Sequence, residues 1–175
     1  MEKLTHSYDF LSSSVDGINL FYRKWLPVKE IQRVFVIQHG IGDHSGRYGN
    51  LIKALNNGHT AFYAIDSRGH GQSPGIRGHT DHFSDYAEDL SELVEHVQET
   101  YPDIKRYLFG HSMGGAIALD FCLEKENQKK IDALIVSAPA IKPVMDPVKH
   151  VKKFVGKRLA RFFPRTILNT GLDLK

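Results

Sequence analysis

The stretch RYLFGHSMGGAIAL, Arg106 to Leu119, holds a single serine, Ser112, between glycines, with an apolar-containing run on each side. The run before it, RYLFG, is short and rich in β-forming residues, and the run after it, from 113 to about 125, has the composition and length of a helix. A strand that runs through Gly-x-Ser-x-Gly into a helix is the setting of a nucleophile elbow, a sharp turn that exposes the serine hydroxyl. Side chains two residues before and two after such a serine would collide with neighbouring backbone, which accounts for Gly110 and Gly114, while Gly115 lets the next helix come close. The helix start presents free backbone N–H groups to a developing negative charge. Ser112 is therefore expected to attack a carbonyl carbon; the competing reading is a glycine-rich strand-to-helix turn with an incidental serine.

Outward from this stretch the alternation of strand and helix continues. RVFVIQ (33–38), TAFYAID (60–66), RYLFG (106–110) and ALIVSAP (133–139) are short β-rich runs without clean alternation, as expected of strands covered on both faces. Helix-like segments separate them at about 47–57, 83–100 and 113–125. In the second, Phe83, Tyr86, Leu90, Leu93, Val94 and Val97 recur at helical spacing, and Ser84 is the expected N-cap. Ahead of them YDFLSSSVDGINLFYRKWLP (8–27) places two strand-like runs around Asp16-Gly17, a strong turn dipeptide, and reads as an antiparallel hairpin. The expected fold is an α/β sheet, mostly parallel, with an N-terminal antiparallel hairpin and helices on both faces.

Composition agrees with a folded domain: 175 residues, 41% apolar and 25% charged, suit one core and disfavour disordered or fibrous chains. No run approaches 18 apolar residues, and MEKLTHSYDFLSSS lacks the apolar centre of a signal peptide, so a cytoplasmic location is the expectation. Cys122, the one cysteine, sits in AIALDFCL and reads as a packed residue rather than a nucleophile. The net charge of +3 is unevenly spread: residues 1–140 carry fourteen Lys and Arg against eighteen Asp and Glu, residues 141–175 nine against two.

A second glycine-rich segment, QHGIGDHSGRY (38–48), follows the strand ending near Gln38, and a loop there opens at the same sheet edge as the elbow. His39-Gly40-Ile41 would aim the Ile41 N–H at a substrate oxygen, beside the N–H of Met113, to form an oxyanion hole; His39 itself is expected to brace the loop. Taken together, HGIGDHSGRY, DSRGHGQSPG (66–75) and GHSMGGAIAL (110–119), in this order, resemble the monoacylglycerol lipase and lysophospholipase group of α/β-hydrolases, also classed with serine aminopeptidase-like hydrolases. The likeness spans about residues 33–139. It implies Ser112 as nucleophile, the Ile41 and Met113 N–H groups as oxyanion hole, and supporting roles for His39, Gly40, Gly110, His111, Gly114 and Gly115. It also implies that DSRGHGQS is a structural loop in which Arg68, His70 and Ser73 mainly hold backbone positions.

In that family the triad acid and histidine come in the order Ser, Asp, His, beyond a lid inserted after the sixth strand. Here ALIVSAPAI resembles the sixth strand, and the residues after it resemble the beginning of the lid. Nine of the ten histidines precede Ser112, and the tenth, His150, lies in the lid-like segment. His39 and His44 are expected near the site, while His111 is expected to point to the opposite side of the turn. The chain thus reads as the N-terminal portion of a longer enzyme, with residues 1–140 forming part of the hydrolase core and 141–175 beginning a basic lid. In that lid Val148, Val151, Val155, Leu159 and Phe162 make an apolar stripe between lysines and arginines, so residues 147–162 are expected either to pack on the body or to touch an anionic membrane surface. No cofactor, metal or nucleic acid is expected: His79 and His82 have no further ligands at metal spacing. The function expected is serine ester hydrolysis of single-acyl lipids, with an inert module that at most binds acyl ligands as the alternative.

Overall fold

The computed structural model of the protein describes residues 2–141. The basic segment 147–162, His150 and the expected lid lie outside the described residues. Six strands form one sheet in the order β1-β2-β4-β3-β5-β6, with β1 Leu4–Ser12, β2 Asn19–Pro27, β3 Arg33–Gln38, β4 Thr60–Ile65, β5 Lys105–His111 and β6 Ala133–Ser137. β1 and β2 are the expected antiparallel hairpin, paired from Leu4↔Pro27 to Ser12↔Asn19, and β2 runs antiparallel to β4. β4, β3, β5 and β6 are parallel to one another. The outcome is the mixed sheet that the strand patterns imply.

Period-two alternation within β3 and β4 sends side chains to two cores. Val34, Val36, Ala61, Tyr63 and Ile65 meet Leu90, Leu93, Val94 and Val97 of α2 (Ser84–Thr100) and Ile117, Ala118 and Phe121 of α3 (Met113–Phe121). Phe35, Ile37, Phe62 and Ala64 meet Tyr48 of a 3-10 turn (Ser45–Tyr48) and Ile52 of α1 (Gly49–Leu55) on the opposite face. Helices therefore cover both faces, which is why neither strand alternates between apolar and polar residues. Each fully buried Leu or Val of α2 contributes about 1.5–3 kcal/mol relative to exposure.

Three local expectations are corrected. α2 begins at Ser84 itself, and its cap position is Phe83, which makes no side-chain cap bond. Asp85, in the first turn, instead reaches back, its carboxylate accepting the Thr80 hydroxyl and the His82 N–H of the segment that leads into the helix. Helix 113–125 stops at Phe121 and resumes as a single turn, α4, Lys125–Gln128. β4 and β6 end at Ile65 and Ser137, one and two residues before the expected ends. Cys122 packs against the larger core, and burial raises its thiol pKa, as befits an unreactive thiol.

The hairpin turn is tied down by a polar cluster. Arg68, on the loop after β4, forks onto both Asp89 carboxylate oxygens at 2.7 Å and donates to Ser13 Oγ at 3.0 Å and Asp16 at 3.2 Å, while the Ser13 hydroxyl donates to Asp89. The bonds to Asp89 hold the guanidinium more firmly protonated than usual against the cost of burial. Arg68 thus holds carboxylates on two other elements rather than its own loop's backbone, a departure from the expected role; Ser73, bridging the Asp66 carbonyl and the Phe21 N–H, fulfils it.

Candidate active site

Ser112 stands between β5 and α3 with φ 53° and ψ −119°, a conformation that costs a non-glycine residue about 1–3 kcal/mol. The surrounding glycines are required by backbone, as contacts of a hypothetical Cβ demonstrate. At Gly110 it would lie 2.4 Å from the Gly114 carbonyl oxygen, and at Gly114 only 2.3 and 2.4 Å from those of Gln38 and His39. Gly115 accommodates Pro139, whose Cβ would be 3.0 Å away, so what comes close there is the segment after β6 rather than a helix. The strand-to-helix reversal is thereby tight enough to leave the serine at its apex.

The loop after β3 lies against that apex. A Cβ on Gly40 would sit 3.1 Å from Ser112 Cβ and 3.2 Å from the His111 carbonyl oxygen, so the bare backbone at Gly40 lets this loop lie directly against the serine. Met113 opens α3, and its N–H, like that of any first helical residue, has no partner within the helix. Among the described residues no acceptor takes the Ile41 N–H either. Two uncommitted backbone donors, one following Gly40 in the loop after β3 and one following Ser112 at the start of α3, are chemically suited to an oxygen that gains negative charge.

His39 is wholly buried, and both ring nitrogens are committed. Nε2 accepts the Ser67 N–H at 3.0 Å, which places the proton on Nδ1, and Nδ1–H donates to the Gly40 carbonyl at 2.7 Å. Burial, with His70 adjacent, pushes its pKa down, so the ring stays neutral and acts as a strut between two loops. His44 caps the 3-10 turn by accepting the Gly46 N–H, and His111 directs Nδ1 at Ser137 Oγ, 3.2 Å away. Among the described residues, no histidine ring nitrogen is hydrogen-bonded to Ser112 Oγ.

Asp66 escaped the sequence reading of this site. Fully buried at the end of β4, its carboxylate accepts the Ser45 N–H at 2.6 Å and the Gln72 N–H at 2.9 Å, linking the loops after β3 and β4. Gln38 adds a bond from Nε2 to Ser67 Oγ at 2.6 Å. Gly71 is glycine because any Cβ there would overlap the Asp66 carboxylate. The available signal was an acidic residue closing an apolar strand at the head of a glycine-rich loop.

Against known proteins, the family described as serine aminopeptidase, S33 matches residues 29–175. The chain is 33% identical to the monoacylglycerol lipase of Mycolicibacterium smegmatis over 152 residues, covering 87% of this chain and 53% of that protein. It is likewise 33% identical to the monoglyceride lipase of Rattus norvegicus, over 89% of this chain and 50% of the rat protein.

The chain belongs to the monoacylglycerol lipase group of α/β-hydrolases.

A solved structure of a soluble variant of monoglyceride lipase from Saccharomyces cerevisiae, in complex with a substrate analog, superposes with a TM-score of 0.74 at 28% identity, over 99% of this chain and 56% of that one. The chain thus spans about half the length of each of these relatives. In this α/β-hydrolase no helix among the described residues is long and apolar enough to cross a membrane. A groove of about 540 Å³, lined by Glu88, Glu92, Glu95, Asp120, Glu124 and Phe121 among others, does not include Ser112.

Proposed function

We propose that the protein of which these residues form part hydrolyses acyl esters of single-acyl lipids, monoacylglycerols or lysophospholipids, through an acyl-enzyme on Ser112. The observation that supports this reading is the approach of Gly40 to Ser112 Cβ, which brings the loop carrying Ile41 against a strained serine. The lipases of the bacterium and the rat lend the substrate class by their names.

In the proposed reaction Ser112 Oγ attacks the ester carbonyl carbon as its proton passes to a base, and the N–H groups of Ile41 and Met113 receive the oxyanion. Collapse of the tetrahedral intermediate breaks the ester C–O bond, and the leaving alcohol takes the proton from the base. Water then attacks the acyl-enzyme by the same sequence and releases the fatty acid. The base and its acidic partner are proposed to lie outside residues 2–141. His39 and Asp66 serve as supports, since every polar atom they would need for proton transfer is engaged in holding backbone.

The second reading, for the 175 residues taken alone, is an inert module that at most binds acyl chains. Intact mass spectrometry after a fluorophosphonate separates the two. A single adduct, lost in Ser112→Ala, supports the hydrolase; a protein of 19.8 kDa that stays unlabelled supports the inert module for this polypeptide. Peripheral contact of residues 147–162 with anionic membrane belongs to the same proposal, and vesicles with and without phosphatidylserine would test it.

A further inference from the structure

Among the described residues only two non-glycine positions have positive φ: Ser112, at 53°, and Ala138, at 45°. They are 26 positions apart in sequence and adjacent in space. β5 and β6 pair as far as His111↔Ser137, and the ladder then continues one rung past the strands, with the Ser112 N–H donating to the Ser137 carbonyl at 2.9 Å. At Ala138 the chain turns back on itself. The Ala140 N–H consequently reaches the Ser112 carbonyl at 3.0 Å, and the Ile141 N–H closes onto Pro139 at 2.9 Å. Two further contacts tie the same segments: His111 Nδ1 to Ser137 Oγ at 3.2 Å, and Pro139 against the bare Cα of Gly115.

We propose that the turn Ser137–Ala140 is a positioning element for Ser112, set by the left-handed backbone of Ala138. This rests on the reading of Ser112 as nucleophile. An unfavourable backbone persists only where its surroundings hold it from more than one side. The helix bonds the Ser112 carbonyl from one direction only, through the N–H groups of Gly115 and Ala116. Rotation of the serine peptide back toward an ordinary conformation would break the bonds to Ser137 and Ala140 together. Those two partners converge on Ser112 only while Ala138 keeps its turn, so each strained residue holds the other. Ala138 is a positioning residue: it acts through the peptide of Ser112 and has no group with which to touch a substrate.

The test uses the full-length protein with Ala138→Val and Ala138→Gly. A β-branched side chain disfavours the left-handed region strongly, whereas glycine adopts it freely. Three quantities are measured: amide hydrogen exchange at Ser112, the rate of fluorophosphonate labelling, and kcat and KM on a monoacylglycerol. In Ala138→Val, protection of the Ser112 amide is expected to fall about tenfold or more while Leu108 in β5 keeps its own. Labelling and kcat should fall by a similar factor, with KM within about twofold, and Ala138→Gly should retain near wild-type values. Unchanged protection at Ser112 in Ala138→Val would overturn the proposal. So would lost protection with unchanged labelling, since the turn would then be a brace without consequence for the nucleophile. A wild-type protein that never labels, although the Ser112 amide is protected, overturns the nucleophile reading first and leaves the turn no positioning role.

Discussion

The serine is flanked by two supports of opposite construction. On the side of the loop after β3, support is made by buried side chains: His39 joins its own loop at Gly40 to the neighbouring loop at Ser67 through its two ring nitrogens, and Asp66 gathers two backbone N–H groups. On the side of the turn after β6, it is made almost wholly by backbone, through two strained residues and an alanine turn. The first kind costs burial of polar groups and offsets it with hydrogen bonds, neutral at His39 and charge-assisted at the Asp66 carboxylate. The second costs conformational strain and leaves almost no mark on residue type. Mutation should therefore injure the two sides differently.

The largest effect is expected where both sides meet. Gly114→Ala would drive a methyl group into the carbonyls of Gln38 and His39, neither of which can yield without moving β3. A loss of about 3 kcal/mol or more, or failure to fold, should be seen in urea denaturation. Ile41→Pro removes one candidate oxyanion donor and leaves the supports in place. It should lower kcat about 100- to 1,000-fold, whereas Ile41→Ala, which keeps the N–H, should change it little. A Pro variant of normal kcat would remove Ile41 from the chemistry.

Asp66→Asn tests the side-chain support alone. One oxygen is retained, but an amide N–H₂ then faces the N–H of Ser45 or Gln72, so destabilisation of about 1–3 kcal/mol is expected from denaturant midpoints. The smallest effect is one of pH. Because burial lowers the pKa of His39 in the fold, the unfolded chain binds a proton that the native state refuses. His39 should therefore add nothing to the pH dependence above its ordinary value of about 6.5. As pH falls below that, stability should decline by up to about 1.4 kcal/mol per pH unit, until the folded pKa is reached. Comparison of wild type with His39→Gln by thermal melts at pH 7.5 and 5.5 isolates the slope; equal slopes would mean that the ring takes up its proton without cost.

The same difference in construction governs what could be read from the amino-acid sequence. Gly110, Ser112, Gly114 and His39-Gly40 carry residue types that the geometry demands, so the elbow, its neighbouring loop and the order of strand and helix were legible. Asp66 and Arg68 were visible as a motif, but their partners, Ser45 and Asp89, lie 21 residues away and are paired only by the fold. Ala138 gave no signal because alanine is at home in helices, strands and turns alike, and its left-handed backbone is imposed by contacts with Ser112. Ser84 misled for a related reason: a serine beside a helical pattern is a good cap in isolation, yet the carboxylate of Asp85 already meets the His82 N–H at the helix start.

The Arg68 cluster has a consequence for the newborn chain. The hairpin β1–β2 is complete when residue 27 emerges from a ribosome, but two strands alone are barely stable in water. β2 finds its neighbour only when Ile65 has been made, and Ser13 its carboxylate only with Asp89. Until then a ribbon carrying Tyr8, Phe10 and Phe21 waits with open edges. The hairpin is thus secured only once the chain has grown through Asp89, well after its own two strands are complete, and in that interval its open edges are what a chaperone would have to cover.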